Sequence, residues 1–211
     1  MITKRVLEME RSKLREIFEE VKRLEKEGRR IIHLNIGEPD FDTPDNIKRA
    51  CIKAIEEGFT HYTPNAGIPE LREAIAERAR KKGIDAKGEN VLVTVGSNEA
   101  SFLSSLTLID RGDRVAIRVP YYSLSMRQIK YAGGEVVLVN GEDFKLNADS
   151  LNEVGEKIKV LWIVNPDNPT GVIYTKKELE EIADFVVDNE IYVVSDEIYD
   201  EIVYEKKHVS F

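Results

Sequence analysis

Apolar and polar positions alternate along the chain in two rhythms. Val91–Val95, Val115–Val119, Val136–Val139, Ile158–Val164 and Ile191–Val194 are short apolar runs bounded by Gly, Pro, Asn or Asp. Such runs read as strands buried on both faces. Between them the apolar residues recur at helical spacing. Glu99–Ile109 turns Leu103 and Leu106 inward, and Tyr122–Tyr131 ends at Gly133 and Gly134. Leu151–Glu156 reads as a short helix, and Lys176–Asn189 turns Leu179, Ile182, Ala183 and Val186 inward. Strands and helices in this alternation predict an α/β fold: a mainly parallel sheet flanked by helices.

The first part of the chain has a different texture. Ser12–Lys26 is helical by the spacing of Leu14, Ile17, Phe18, Val21 and Leu24, with Ser12 as cap and Gly28 as stop. Ile31–Ile36 is an extended segment that runs into a turn-rich loop, Gly37 to Pro44. Thr43-Pro44 gives an N-cap followed by proline at the first helical position. The helix to Glu57 is expected to bury Ile47, Ala50, Cys51, Ala54 and Ile55 and to stop at Gly58. A loop from His61 to Gly67 contains Tyr62. Pro69 then opens a helix with Leu71, Ala74, Ile75 and Ala79 inward, ending near Gly83. The expected boundary lies near Asp42, with residues 1–42 as an N-terminal arm and 43–211 as the α/β domain.

Composition narrows the classes. With 42% apolar residues in 211, a packed core is possible. The net charge of −8 is spread with interleaved Lys and Arg, which argues against a nucleic-acid partner. Cys51 is the only cysteine, so no internal disulfide forms, and it is expected to be a small core residue. No run approaches the ~20 apolar residues of a membrane helix, and the charged start lacks a signal peptide's apolar core. A soluble cytoplasmic protein is the expectation. His33, His61 and His208 show no ligand spacing, so no metal site is proposed.

Chemistry concentrates where apolar runs end. In open α/β sheets ligands bind at the carboxyl ends of the strands. Asn168 lies there between Pro166 and Pro169, and Asp196 closes the last strand with Tyr199 about one helical turn on. Asp196 is either a turn cap or a buried acid in need of a cation. Asn168 is either a rigidly held amide or part of a surface turn. Gly96-Ser97-Asn98 joins a strand to a helix N-terminus, where unpaired N–H groups favour a phosphate, or where glycine merely makes the bend. Pro120-Tyr121-Tyr122 places aromatics at a further strand end, for the core or for stacking on a flat ligand.

In order and spacing these segments resemble the class I/II, fold-type I, pyridoxal-phosphate aminotransferases. The resemblance rests on Ile36-Gly37-Glu38-Pro39-Asp40-Phe41 with Thr43-Pro44, Tyr62-Thr63-Pro64 with Gly67 to Arg72, and Gly96-Ser97-Asn98-Glu99-Ala100. It continues through Pro120-Tyr121-Tyr122, Asn165 to Gly171, and Asp196-Glu197-Ile198-Tyr199. It implies the large, cofactor-binding domain of that fold, incomplete here, with the arm carrying part of the small domain. It also implies pyridoxal 5'-phosphate as cofactor, amino acids and 2-oxo acids as substrates, and a homodimer.

The resemblance assigns roles. Asp196 would pair with the pyridine nitrogen and keep it protonated, as an electron sink requires. Asn168 and Tyr199 would hydrogen-bond the phenolic oxygen, and Tyr122 would stack on the ring. Ser97 and Asn98 would hold the phosphate, Tyr62 would reach the phosphate in the other subunit, and Gly37 would meet the substrate carboxylate.

One departure bears on activity. The family's Schiff-base lysine follows the aspartate by a few tens of residues, beyond Phe211. Lys206 and Lys207 stand too near Asp196 to replace it. The substrate-gripping arginine near the family's C-terminus is absent as well. The chain is therefore expected to be the N-terminal portion of an aminotransferase, inactive by itself. Two alternatives stay open: a non-catalytic module that keeps the pocket for binding, and a cofactor-dependent lyase of the same fold. A Rossmann dehydrogenase fails for want of a glycine-rich fingerprint.

Overall fold

In a computed structural model, residues 2–7, 13–34, 37–154, 157–205 and 207–211 are described. The chain divides into two compact units, Met1–Thr63 and Pro64–Phe211, so the boundary expected near Asp42 lies inside the first.

The first unit holds helices α1 (Lys4–Leu7), α2 (Lys13–Lys26) and α3 (Asp45–Glu56). Gly28 and Gly58 end α2 and α3 in the left-handed conformation that glycine tolerates. The cap of α2 expected at Ser12 lies outside the described residues, as do two residues of the expected segment Ile31–Ile36. Its described part, 31–34, forms no strand. Helix α3 starts one residue later than Thr43-Pro44 suggests, with Pro44 itself in the capping position. Its expected buried face is a correction. Ile47, Ile52 and Ile55 are exposed, Cys51 is exposed rather than in the core, and no residue of α3 is buried. The stripe is there, but no described element closes over it.

The second unit is the α/β layer structure. It comprises helices α4 (Pro69–Lys81), α5 (Gly96–Leu108), α6 (Ser123–Ala132), α7 (Ala148–Asn152) and α8 (Lys176–Asp188). Its strands are β1 (Arg114–Arg118), β2 (Glu135–Val139), β3 (Val160–Val164) and β4 (Tyr192–Asp196). They form one sheet in the order β2-β1-β3-β4, and every pair is parallel.

Alternation along β3 shows why both faces need helices. Leu161 and Ile163 join Ala116, Leu151, Leu179, Ile182 and Val186 in one cluster. Val160 and Trp162 join Val115, Ile109 and Ile129 in the other. Helices α7 and α8 thus cover one face, and α6 with the residue following α5 covers the opposite one. Thr175 and Glu178 cap the start of α8 reciprocally.

Four expectations fail here. Val91–Val95 is not a strand. Val93 N–H reaches Ala66 O at 3.0 Å, but the segment pairs with no described strand, and Leu92 and Val95 stay exposed. Helix α5 begins at Gly96, so Gly96-Ser97-Asn98 is its first turn and not a separate loop, and Leu106 is exposed. In α4 only Ala76 is buried; Leu71, Ala74 and Ile75 are exposed and Ala79 is half-buried. The short helix expected at Leu151–Glu156 lies earlier, and its last two expected residues fall outside those described.

Candidate functional site

The parallel sheet aligns the carboxyl ends of its strands, and the polar segments leave from there. β3 and β4 are in register, Val164 opposite Asp196. Asn165, next after β3, donates its backbone N–H to the Asp196 carbonyl at 2.9 Å. Its buried side chain accepts from Tyr174 N–H at 3.2 Å and donates to Val209 O at 3.0 Å. The loop after β3 is thereby tied to the end of β4.

This tie brings two predicted residues together. Asn168 Nδ2 donates to the Tyr199 hydroxyl oxygen at 3.2 Å. With its oxygen engaged as acceptor, the Tyr199 hydroxyl keeps its proton to donate elsewhere. Asp196 is half-buried, accepts from Ile198 N–H at 3.2 Å, and has no cationic partner among the described residues. Burial pushes its carboxyl above the ordinary aspartate value, the Ile198 N–H opposes this, and the Glu197 charge adds to it. The Tyr122 hydroxyl is also pushed up, first by burial and then by its neighbours Tyr199 and Asp196. Tyr122, Asp196 and Tyr199 therefore share one electrostatic neighbourhood.

Ser97 and Asn98 lie in the first turn of α5, which packs against β4 and α6. No side chain caps that helix start through the residue before it. Ser97 is half-buried and Asn98 exposed, and Gln128 Nε2 holds the Asn98 carbonyl at 3.0 Å. Gly96 N–H is taken by Thr94 O at 2.9 Å and Val95 N–H by the Glu99 carboxylate at 2.5 Å, which leaves the N–H groups of Ser97 and Asn98 for an anion. Gly37 and Tyr62 belong to the first unit; both are exposed, Tyr62 fully.

Comparison with known proteins gives the family. The model for aminotransferases of class I and II matches residues 29–211. The chain belongs to the class I and II aminotransferases. It is 44% identical over 209 residues to an aspartate aminotransferase of Pyrococcus horikoshii, covering 97% of this chain and 52% of that protein. A probable aspartate/prephenate aminotransferase of Aquifex aeolicus is 41% identical over 99% of this chain and 55% of its own length. The solved aspartate aminotransferase of Thermus thermophilus with maleate superposes with a TM-score of 0.95 at 37% identity, covering 100% of this chain and 56% of that one. The chain spans about half the length of these relatives. Its four-stranded parallel sheet is the incomplete large domain of the fold-type I architecture.

Family membership makes the donor set intelligible. A half-buried acid without a cation suits a protonated ring nitrogen, and an amide–hydroxyl pair suits a phenolate oxygen. The Ser97 and Asn98 N–H groups at a helix start suit a phosphate. Those three chemistries are what pyridoxal phosphate presents.

Sequence reasoning gave no role to several residues that shape this site. Arg118 and Asp167 form an ion pair with side chains only 6% and 5% exposed. Asp200, beside Tyr199, is held by Arg78 at 2.6 Å and by Lys82. Arg118 carried a readable signal: an arginine inside an apolar strand requires a buried partner. The Arg78–Asp200 contact spans the unit and leaves no local trace.

Proposed function

We propose that this chain carries the cofactor-holding half of an aminotransferase, one that moves an amino group between an amino acid and a 2-oxo acid with pyridoxal 5'-phosphate. The observation that carries the reading is the Asn168–Tyr199 hydrogen bond beside the half-buried Asp196, which has no cationic partner among the described residues. When bound, the cofactor supplies an electron sink for the charge left as the substrate's α-proton departs. Asp196 holds the ring nitrogen protonated, since its carboxylate gains the cation its burial otherwise lacks. Tyr199 donates its free proton to the phenolic oxygen, and Asn168 orients that hydroxyl. Ser97 and Asn98 offer the start of α5 to the phosphate, and Tyr122 covers the ring.

Tyr62, reaching the phosphate of a second copy, and Gly37, meeting the substrate carboxylate, complete the site in a homodimer. The relatives' names favour aspartate as amino donor. Covalent anchoring requires a lysine, and among the described residues none pairs with Asp196.

The test of the site is a pyridoxal phosphate titration followed by visible absorbance. Asp196→Asn keeps the acceptor for Ile198 N–H and removes the charge. It is expected to weaken binding by about 2 kcal/mol or more, as loss of one partner of a desolvated charge pair does. Equal affinity in parent and variant would overturn the placement of the ring nitrogen.

A further inference from the structure

The loop after β3 is built around one carboxylate. Asp167 Oδ2 accepts from Thr170 N–H at 3.0 Å and from Thr170 Oγ1 at 2.6 Å. Its backbone N–H donates to Val172 O at 3.0 Å, and its carbonyl accepts from Gly171 N–H at 2.9 Å. Asp167 thus ties the loop from Asn168 to Val172 to itself. The same carboxylate oxygen meets Arg118 Nη2. Arg118 is the last residue of β1, a strand with neighbours on both sides, and its Nη1 donates to Val119 O at 3.1 Å.

Nearly complete burial of both side chains excludes an idle surface pair. Two charges removed from water are costly, and apolar residues of similar volume often serve stability as well. What an apolar pair does not supply is direction. An arginine whose Nη1 is held by the carbonyl just past its strand and whose Nη2 faces the carboxylate oxygen leaves that carboxylate little freedom. The residue bonded to that carboxylate's backbone is Asn168, whose amide must meet Tyr199.

We infer that Arg118 and Asp167 are positioning residues: their buried ion pair transmits the rigid end of β1 to the Asn168 amide and so sets the Asn168–Tyr199 hydrogen bond. The inference rests on the cofactor reading for what that bond serves, but the placement of the loop is testable without cofactor.

The experiment uses the polypeptide as its gene encodes it, with variants Asp167→Ala, Arg118→Met, Arg118→Lys and the double variant Arg118→Met/Asp167→Leu. Asn168→Ala is the reference. The first readout, without cofactor, is amide hydrogen exchange at Thr170 and Gly171. Asp167→Ala, which removes the acceptor of Thr170 N–H, and Arg118→Met, which removes the buried counter-charge, are expected to speed it by about tenfold or more relative to the β-strand amides. Arg118→Lys restores charge without the fork and is expected to recover only part of the protection.

The double variant, which leaves no lone buried charge, is expected to regain the parent's melting temperature but not its loop protection. If it regains both, the pair merely fills space and the inference falls. The second readout is the pH at which the visible band of bound pyridoxal phosphate changes. Donors to the phenolate favour its anion, so Asn168→Ala and the double variant are expected to move that midpoint upward together. A shift in Asn168→Ala with none in the double variant also overturns the inference. If Asn168→Ala leaves the midpoint unmoved, or no band forms in the parent, the cofactor reading has failed, and the exchange readout alone decides the positioning role.

Discussion

In α8 the apolar residues Leu179, Ile182 and Val186 are at most 4% exposed, in one cluster with Leu161 and Ile163 of β3. In α3 the apolar residues Ile47, Ile52 and Ile55 are 54–59% exposed. Both helices are amphipathic, and both end where a turn signal says they should. The difference lies in what stands opposite. The α8 stripe faces a sheet whose residues alternate so that each face demands a helix. The α3 stripe has no described element over it. Periodicity states that a cover is wanted, and only the tertiary neighbours state whether it is present.

The contrast breaks most sharply at Ile182, which is fully buried. Ile182→Ala is expected to cost about 2–5 kcal/mol in denaturant unfolding, the usual loss for a core aliphatic side chain and the cavity it leaves. A loss below about 1 kcal/mol would mean that α8 covers the sheet far more loosely than its contacts indicate.

A second contrast lies within one turn. Asp196 and Asp200 are four residues apart and are treated oppositely. Burial raises the Asp200 carboxyl, but hydrogen bonds from Lys82 and Arg78 outweigh that and hold it below its ordinary value. A depressed carboxyl stabilises the fold above its unfolded pKa and loses that contribution as pH falls through its folded pKa. Asp200→Asn is therefore expected to cost about 1.5–3 kcal/mol near neutrality, the range for hydrogen bonds to charged groups. Its deficit should vanish only in strong acid. For Asp196 the sign reverses. Its raised carboxyl binds a proton more readily folded than unfolded, so it costs stability as pH rises above the ordinary aspartate range. Without cofactor, Asp196→Asn is expected to raise the melting temperature at pH 7, with the gain disappearing below about pH 4. A variant less stable than the parent at pH 7 would show that Asp196 has a cationic partner in the folded chain.

Much of this was legible along the chain, for physical reasons. The four strands that pair are Val- and Ile-rich runs, and each emerged within two residues of its expected start because β-branched residues between turn signals leave few alternatives. Asn168 and Tyr199 were legible as a pair because two parallel strands place their carboxyl ends side by side. Val91–Val95 misled because a strand exists only where another supplies its hydrogen bonds, and composition cannot show that. Asp200 was invisible because its partners, Arg78 on α4 and Lys82 just after it, lie more than a hundred residues earlier in the chain.

The smallest expected effect is the most discriminating. Ile55 on α3 is 59% exposed, so truncating it removes little area from contact with protein. Ile55→Ala is expected to change stability by no more than about 0.5 kcal/mol, as surface substitutions do. It even gains helix propensity, since alanine loses no side-chain freedom in a helix. The measurement is denaturant unfolding at low protein concentration, repeated at high concentration. An unchanged midpoint at both confirms a stripe open to water. A loss of 2 kcal/mol or more that appears only at high concentration would mean that a second copy closes over α3. The contrast with α8 would then be one between a cover supplied within the chain and one supplied by association.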